Sequence, residues 1–455
     1  MRAIFDPSPD QWPGLVRDVP TNATSIETRR MLGLPIDRPI IMAGHQAELW
    51  HPGILSKWFA AIALAVRTDA APAWVVVDQD ATDSMAVRSP SRDDAGKLSE
   101  RTHRFARPPR SADTPSKQRP ATEPSDAGPE NPALPSVAEG IAAARQALAA
   151  ASSARTQAEQ LARATARLLR AHSPADADGY PITPAMIFAT SLSTTPAFAE
   201  LLQAMRTDPD ACADAYNAAA SAHPDAHIRE LTTAPGSDRE LPLWRIGSTR
   251  RAVFASELAD IDIAELAPRA LAMTALLRMH ACDLFIHGTG GGASGTIAGY
   301  DRITEQWITN WLGKDAKLAP SVVATATLQL PLSREPVPTE RDVAEARARA
   351  HRARHQPSLV GDDQAEAHKR ELVAAIEAAP YKSAERSAAF QQMHAGLAEV
   401  RSRHDAELHR LDAHAADIAA RYEARSIIED RTWPFVLFED TAIAELRNEI
   451  YEALR

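Results

Sequence analysis

The sequence predicts an α/β protein, a parallel-sheet core framed by alanine-rich helices. Short β-branched runs recur along the chain, each opening into a polar or glycine-rich loop. Roughly one residue in five is alanine, well above ordinary usage and favourable to helix. Aromatic residues make up only 5%, which argues against a mainly β sandwich. At ~150 residues per domain, the 455 residues correspond to about three folding units.

The first element is the run Arg38-Pro39-Ile40-Ile41-Met42-Ala43-Gly44-His45-Gln46, a buried strand that enters a loop. Ile54 to Ala65 follows as a helix that is apolar on most faces, and Ala73 to Val77 as a second strand closed by Asp78-Gln79-Asp80. Strand, helix and strand within ~40 residues make a βαβ unit, parallel and right-handed. Ligands of such folds bind at the carboxyl ends of the strands. Gly44 to Glu48 and Asp78 to Asp80 both fall there.

From Arg88 to Ser136 the composition turns to Pro, Ser, Asp, Arg and Lys, the pattern of a flexible linker or lid. Val137 to Ala171 reads as one long alanine-rich helix, and Met186 to Thr190 as a third strand that leads into Ser191-Leu192-Ser193. Leu266 to His280 reads as a helix, and Asp283 to His287 as a strand opening into the glycine loop Gly288 to Gly292. A helix from Tyr300 to Leu312 follows. Beyond Phe390, the positions Met393, Leu397, Val400, His404, Leu408, Leu411, Ala415, Ile418 and Tyr422 repeat at steps of three and four, with a stutter at His404. That is a long antiparallel or intermolecular coiled coil.

The expected organisation is therefore a first part of the core over 1–87, the linker or lid over 88–136, and a helical insertion with the second part of the core over 137–335. A helical, coiled-coil domain over 336–428 and a terminal segment packed on the core over 429–455 complete it.

His45, Gln46, Glu48 and His51 crowd one strand end, a variety suited to orienting a carboxylate, amine or phosphate. Lys57 lies on the following helix, within reach of an anion. Asp78 and Asp80 are paired carboxylates suited to binding Mg²⁺, holding an ammonium group or sharing general-base work. Ser191 and Ser193 can bind phosphate or cap a helix. His287 with Gly288, Gly290 and Gly291 offers backbone N–H groups to an anion. No Walker lysine ends that loop, so no cofactor is named by motif. Two cysteines exclude a disulfide scaffold and a four-thiolate zinc site. With no Cys-x-x-Cys or His-Glu-x-x-His spacing, no protein-bound metal is expected.

Basic and acidic residues number 50 and 60, for a net charge of −10. This gives no basic excess, and nucleic acid is not an expected partner. The longest strongly apolar run, Phe59 to Val66, falls short of the ~20 residues that span a bilayer. Without an apolar leader at the N-terminus, a cytoplasmic protein with no membrane partner is expected.

The segment Ala43-Gly44-His45-Gln46-Ala47-Glu48-Leu49-Trp50-His51-Pro52-Gly53-Ile54-Leu55-Ser56-Lys57 resembles the Thr-Gly-Gln-Gln-x-Gly-Leu…Gly-Pro…Lys motif of the bacillithiol biosynthesis cysteine-adding enzymes. Trp74 to Asp80 is similar to that family's apolar strand ending in Glu-Asp-His-Asp. Leu284 to Gly291 is similar in placement to its aromatic and glycine-rich segment. The chain is most similar to an uncharacterised bacterial branch reading Gly-His-Gln…His-Pro-Gly and His-Gly-x-Gly-Gly…Tyr-Asp, which adds Tyr300 and Asp301 to the candidate residues. His45 and Gln79 replace family residues, and the Pro-Gly-Glu of the glycine loop is absent. The resemblance implies a Rossmann-like, nucleotidyltransferase-type core and a homodimer through the coiled coil. It also implies a ligase-like reaction joining an amino-acid-type carboxyl to an amine, in small-molecule or thiol metabolism. In this reading His45, Asp78 and Asp80 are catalytic, and the substrate is a small molecule bearing a carboxylate or amine. The alternative is a non-catalytic dimeric binding protein for a small anionic metabolite.

Overall fold

The β-branched runs become the strands of one central sheet. A computed structural model describes residues 2–289 and 299–455. The strands are β1 (Arg2–Asp6), β2 (Ile40–Gln46), β3 (Ala71–Val77), β4 (Ala86–Arg92), β5 (Leu98–Arg104) and β6 (Ala185–Phe188). They continue with β7 (Thr233–Ala234), β8 (Asp238–Ile246), β9 (Arg250–Phe254), β10 (Leu266–Pro268), β11 (Leu284–His287) and β12 (Ser321–Thr327). The central sheet has the order β1-β12-β11-β2-β3-β6. Its strands run parallel except β1, which pairs antiparallel with β12 at one edge. Among the parallel strands, chain order runs outward in both directions from the junction of β2 and β11 (β2-β3-β6 and β11-β12), the arrangement that in open α/β sheets forms a ligand crevice at the carboxyl ends. The fold is mixed α/β with a parallel-strand sheet and many helices.

Two compact units contain the chain. The first holds Met1–Ser91, Glu100–Leu330 and Arg431–Arg455; the second holds Arg92–Ser99 and Pro331–Asp430. In the first unit, α1 (Ala23–Met31) and α2 (Pro52–Arg67) belong to the opening βαβ region. Helix α2 is buried along most of its length, with Trp58 and Phe59 at 0% exposure, as a helix apolar on most faces requires. Trp50, Trp58 and Trp74 pack as a cluster, with ring centroids 4.3–5.7 Å apart. Gly44 is dictated by close approach: a Cβ there would lie 2.7 Å from the Val75 carbonyl oxygen.

The buried pair Arg29–Asp283 ties the amino ends of the sheet together. Arg29 donates to both Asp283 oxygens at 2.8 Å, and the Ile40 N–H donates to the same carboxylate at 2.8 Å. One carboxylate therefore joins α1, β2 and β11. Strands β7 to β10 form a smaller antiparallel sheet, whose Leu241, Leu243 and Val253 share a core with Phe198 and Trp307.

Several elements differ from the sequence expectation. The expected helix Val137–Ala171 is two helices, α3 (Pro135–Ala150) and α4 (Gln157–Leu169). Thr156 starts the second by accepting the Glu159 N–H, while Glu159 takes the Arg155 N–H. These local polar bonds compete with helix continuation. Leu266–Pro268 is strand rather than helix; α5 (Ala270–Leu276) begins after it and widens into a π-turn over Leu277–Ala281. Strands β1 and β12 and the hairpin β4–β5 lie outside the sequence reading. That hairpin falls in the segment read as linker or lid, where Val87, Leu98 and Phe105 are nevertheless buried. Helix α6 (Tyr300–Leu312) has the expected bounds.

In the second unit the coiled-coil stretch is not continuous. Helices α7 (Glu340–Ala353) and α8 (Asp363–Ala378) are followed by α9 (Ala384–Arg403) and α10 (Asp405–Glu423). The break falls at His404, the site of the stutter, where the backbone leaves helical geometry and the ring meets Asp362 at 3.2 Å. Helices α7 and α10 pack antiparallel, with Val343 against Ile418 and Ala419 and Arg354 paired to Asp412 at 2.6 Å. Among the described residues no helix is long and apolar enough to cross a membrane.

Close packing in the first unit is testable at Gly140. A Cβ there would fall 1.7 Å from the Val436 carbonyl oxygen. Overpacking of this kind costs ~1–3 kcal/mol, so Gly140→Ala lowers the thermal midpoint. Gly128→Ala, where no atom lies within 4 Å, leaves the midpoint unchanged in the same calorimetric scan.

Candidate functional site

The carboxyl ends of β2, β3 and β11 bring six of the candidate residues together: His45, Glu48, His51, Lys57, Asp80 and His287. At their centre is Lys57, which α2 projects under the end of β2. Its Nζ donates to the Gly44 carbonyl at 2.6 Å and lies 5.5 Å from the Trp74 ring centroid. A Cβ on Gly288 would sit 3.9 Å from Lys57 Cδ, so the lysine stem also runs beside the end of β11. Burial pulls the Lys57 ammonium down to about 7, because a charged amine loses solvation there.

Two imidazoles flank the crevice. His45, at the end of β2, is held well below the ordinary histidine range by burial, then by Lys57 and His51. His287, at the end of β11, is held well below it by burial, then by Arg278 and Lys57. Both are neutral at pH 7. His45 Nδ1 lies 3.3 Å from Glu48 Oε1 but outside hydrogen-bonding alignment, and His287 Nε2 is buried without a partner among the described residues. Gln79 Oε1 and the indole nitrogens of Trp58 and Trp74 are likewise buried and unpartnered among the described residues. Unmet buried polar atoms are costly in a packed core. Of these, His45 Nδ1 and His287 Nε2 lie at the strand ends, open to satisfaction by a bound polar group.

Glu48 is partly exposed, yet its carboxyl is pushed up to about 7 by desolvation and then by the charge of Asp80. Asp80 is held in turn by Arg250 Nη1 at 2.9 Å and by the Ala81 N–H at 2.8 Å. The Arg250 guanidinium lies 4.9 Å from the Trp244 ring centroid. Arg250 and Trp244 come from the small sheet, and no local sequence signal connects them with Asp80. A second unforeseen residue is Thr190, whose N–H and hydroxyl donate to the two oxygens of Asp78 at 2.9 and 2.5 Å. Thr190 lies two residues past the end of β6, and nothing local in the sequence ties it to Asp78. Asp78 is thereby engaged in joining the ends of β3 and β6.

His51, within the cluster, also serves the backbone, and the remaining candidates lie apart from the cluster or serve the backbone alone. His51 caps α2 by accepting the Gly53 N–H at 3.1 Å, while remaining near His45. The Gln46 carbonyl accepts from the Trp50 indole at 3.2 Å. Ser191 and Ser193 return their hydroxyls to the carbonyls of Phe188 and Thr190 at 2.6 and 2.9 Å. Asp301 accepts from Ser321 and from the Arg302 N–H, and Tyr300 packs against the core around Trp307. Gly290 and Gly291 lie outside the described residues. Among the described residues no group of three His, Cys, Asp or Glu side chains is placed to hold a metal ion.

Chemically, the crevice offers a carboxyl and an amine that both change charge near pH 7, beside two neutral imidazoles. Such sets suit proton transfer. Comparison with protein-family models, curated proteins and solved structures finds no match to this chain.

The Lys57 pKa makes a stability prediction. In the folded chain Lys57 releases its proton near 7, whereas a solvated lysine releases it at 10.5. Between those values the unfolded chain binds more protons, so stability rises with pH across that window. The midpoint of Lys57→Met, compared with that of the native chain at pH 7 and pH 9.5, rises less with pH. An equal rise in both proteins would remove Lys57 as its source.

Proposed function

We propose that the chain is an enzyme of C–N bond formation that joins an amino-acid-type carboxyl group to an amine. The observation that carries this reading is the set of near-neutral acid–base groups at the junction of β2 and β11. In open α/β sheets, the point where strand order reverses is where ligands bind. The order β6-β3-β2-β11-β12 corresponds to the 3-2-1-4-5 order of doubly wound dinucleotide folds, which supports a Rossmann-like core. The resemblance of residues 43–57 and 74–80 to the cysteine-adding enzymes of bacillithiol biosynthesis supports the same class.

Within this reading the amine substrate enters as an ammonium ion beside Glu48. Glu48 takes its proton, the freed nitrogen attacks the acyl carbon, and the C–N bond forms as the bond to the acyl leaving group breaks. The acyl group arrives in activated form, because condensation of a free carboxylate with an amine is unfavourable in water. His45 and His287 offer neutral ring nitrogens to the carboxyl oxygens. Asp80, fixed by Arg250, acts through Glu48 by keeping its proton affinity high, and so positions it rather than reacting. Gly44 allows β2 and β3 to approach closely enough to bring these groups together.

The test begins with a thermal-shift screen of amino acids, amino sugars and other amines, followed by mass analysis of incubations with activated acyl donors. A stabilising acid–amine pair that yields the coupled product supports the proposal. Stabilisation only by a nicotinamide coenzyme overturns it. With the substrates in hand, Glu48→Gln lowers kcat by about 10²–10⁴, the usual contribution of a general base, while binding persists. The acidic limb of the rate profile falls near pH 7, the position expected from the raised Glu48 carboxyl. Asp80→Asn moves that limb to lower pH, because removing a neighbouring negative charge makes Glu48 easier to ionise. An unmoved limb would exclude Asp80 from this role.

A further inference from the structure

Beside the strand-end cluster, the first unit carries a groove of about 1160 Å³ bounded by residues 104–125, Gln157 and the turn at Ser248 and Thr249. Its lining is basic. Arg104, Arg107, Arg110 and Arg119 converge on it, and Glu123 is the one acidic residue among the lining residues. Two of these arginines are already engaged: Arg104 meets Asp83 at 3.1 Å, and Arg119 donates to the carbonyls of Thr82, Ala81 and Thr114. Arg107 and Arg110 are exposed and have no hydrogen-bond or ion-pair partner among the described residues. In a chain of net charge −10, two such guanidinium groups facing one groove constitute local complementarity to an anion.

The rest of the lining identifies the class of anion. Ser111, Thr114, Ser248 and Thr249 supply hydroxyls near the arginines, and Pro108, Pro109 and Pro120 supply apolar rings. Guanidinium forks and hydroxyls match the oxygens of a phosphoryl group. The apolar share of the lining, and a volume well beyond a bare phosphate, match an organic body attached to it. Proline fixes its own φ, so this wall is preorganised and loses little freedom on binding. The groove floor is also anchored to the end of β3. Arg119 holds the carbonyls directly after Asp80, and the Ser116 N–H donates to the Asp80 carbonyl at 2.9 Å.

We propose that this groove is a second binding site, separate from the strand-end crevice, for a phosphorylated small molecule. Arg107 and Arg110 grip the phosphoryl group, and the proline wall carries its organic part. The site stands whether or not the crevice joins carboxyl groups to amines.

Titration calorimetry with phenyl phosphate, inorganic phosphate and benzoate tests it. Phenyl phosphate is expected to bind tightest and to weaken as salt rises. The variant R107A/R110A loses about a hundredfold in affinity for it, roughly tenfold per guanidinium. R107K/R110K keeps the charge without the fork and falls between. Circular dichroism confirms that these exposed substitutions leave the fold intact. Glu48→Gln binds phenyl phosphate as the native chain does, which separates this site from the crevice. Equal affinity for inorganic phosphate overturns the assignment to an organic phosphate, and equal affinity for benzoate overturns the assignment to phosphate. Undiminished binding by R107A/R110A, or no saturable binding of any probe, overturns the site.

Discussion

The site depends on the burial of one amine. Lys57 reaches from α2 to the Gly44 carbonyl with almost no solvent around it. Its charge influences both crevice imidazoles, and its stem lies beside Gly288. An amine can remain there only if the surrounding elements are held rigidly, because a loosened site would admit water and return the group to its ordinary behaviour. The tryptophan cluster, the glycine contact between β2 and β3, and the Arg29–Asp283 anchor at the opposite ends of the strands all serve that rigidity. The crevice chemistry is therefore a consequence of packing below it.

Much of the core was legible from local pattern. Ile40–Ile41, Val75–Val77 and Ile286 are β-branched runs bounded by turn residues, and each lies in the strand it suggested. Strand β12, Ser321-Val322-Val323-Ala324-Thr325-Ala326-Thr327, carries an equally plain pattern but ends in no glycine or charged motif that would set it apart. The split of the alanine-rich helix at 151–156 was harder to read. Alanine continues through the break, and only the bonding of Thr156 and Glu159 stops the helix. At His404 the heptad stutter was visible, but a stutter alone does not distinguish an unwound coil from a broken helix.

The candidate site was legible in its residues and less so in their roles. His45, Glu48, Lys57 and Asp80 stand at or shortly after strand ends in sequence, where α/β folds place ligands. The pairing of Asp80 with Arg250 and of Asp78 with Thr190 links segments more than a hundred residues apart. Such contacts arise from topology and leave no local trace. For the same reason Asp78 and Asp80, twins in sequence, differ in the fold. One joins two strands, and the other sits under an arginine at the edge of the crevice.

The anchor between Ile40 and Asp283 spans 243 residues, and its separation has a consequence for how the chain is made. Strand β2 is synthesised early, yet its neighbour β11 emerges only after the small sheet and about half of the helices. Until then one edge of β2 presents unpaired backbone groups and an apolar face, the features that invite wrong strand pairing. Translation thus imposes a waiting period on the most valuable strand of the molecule. The junction of β2 and β11 is complete only when synthesis is well past its midpoint.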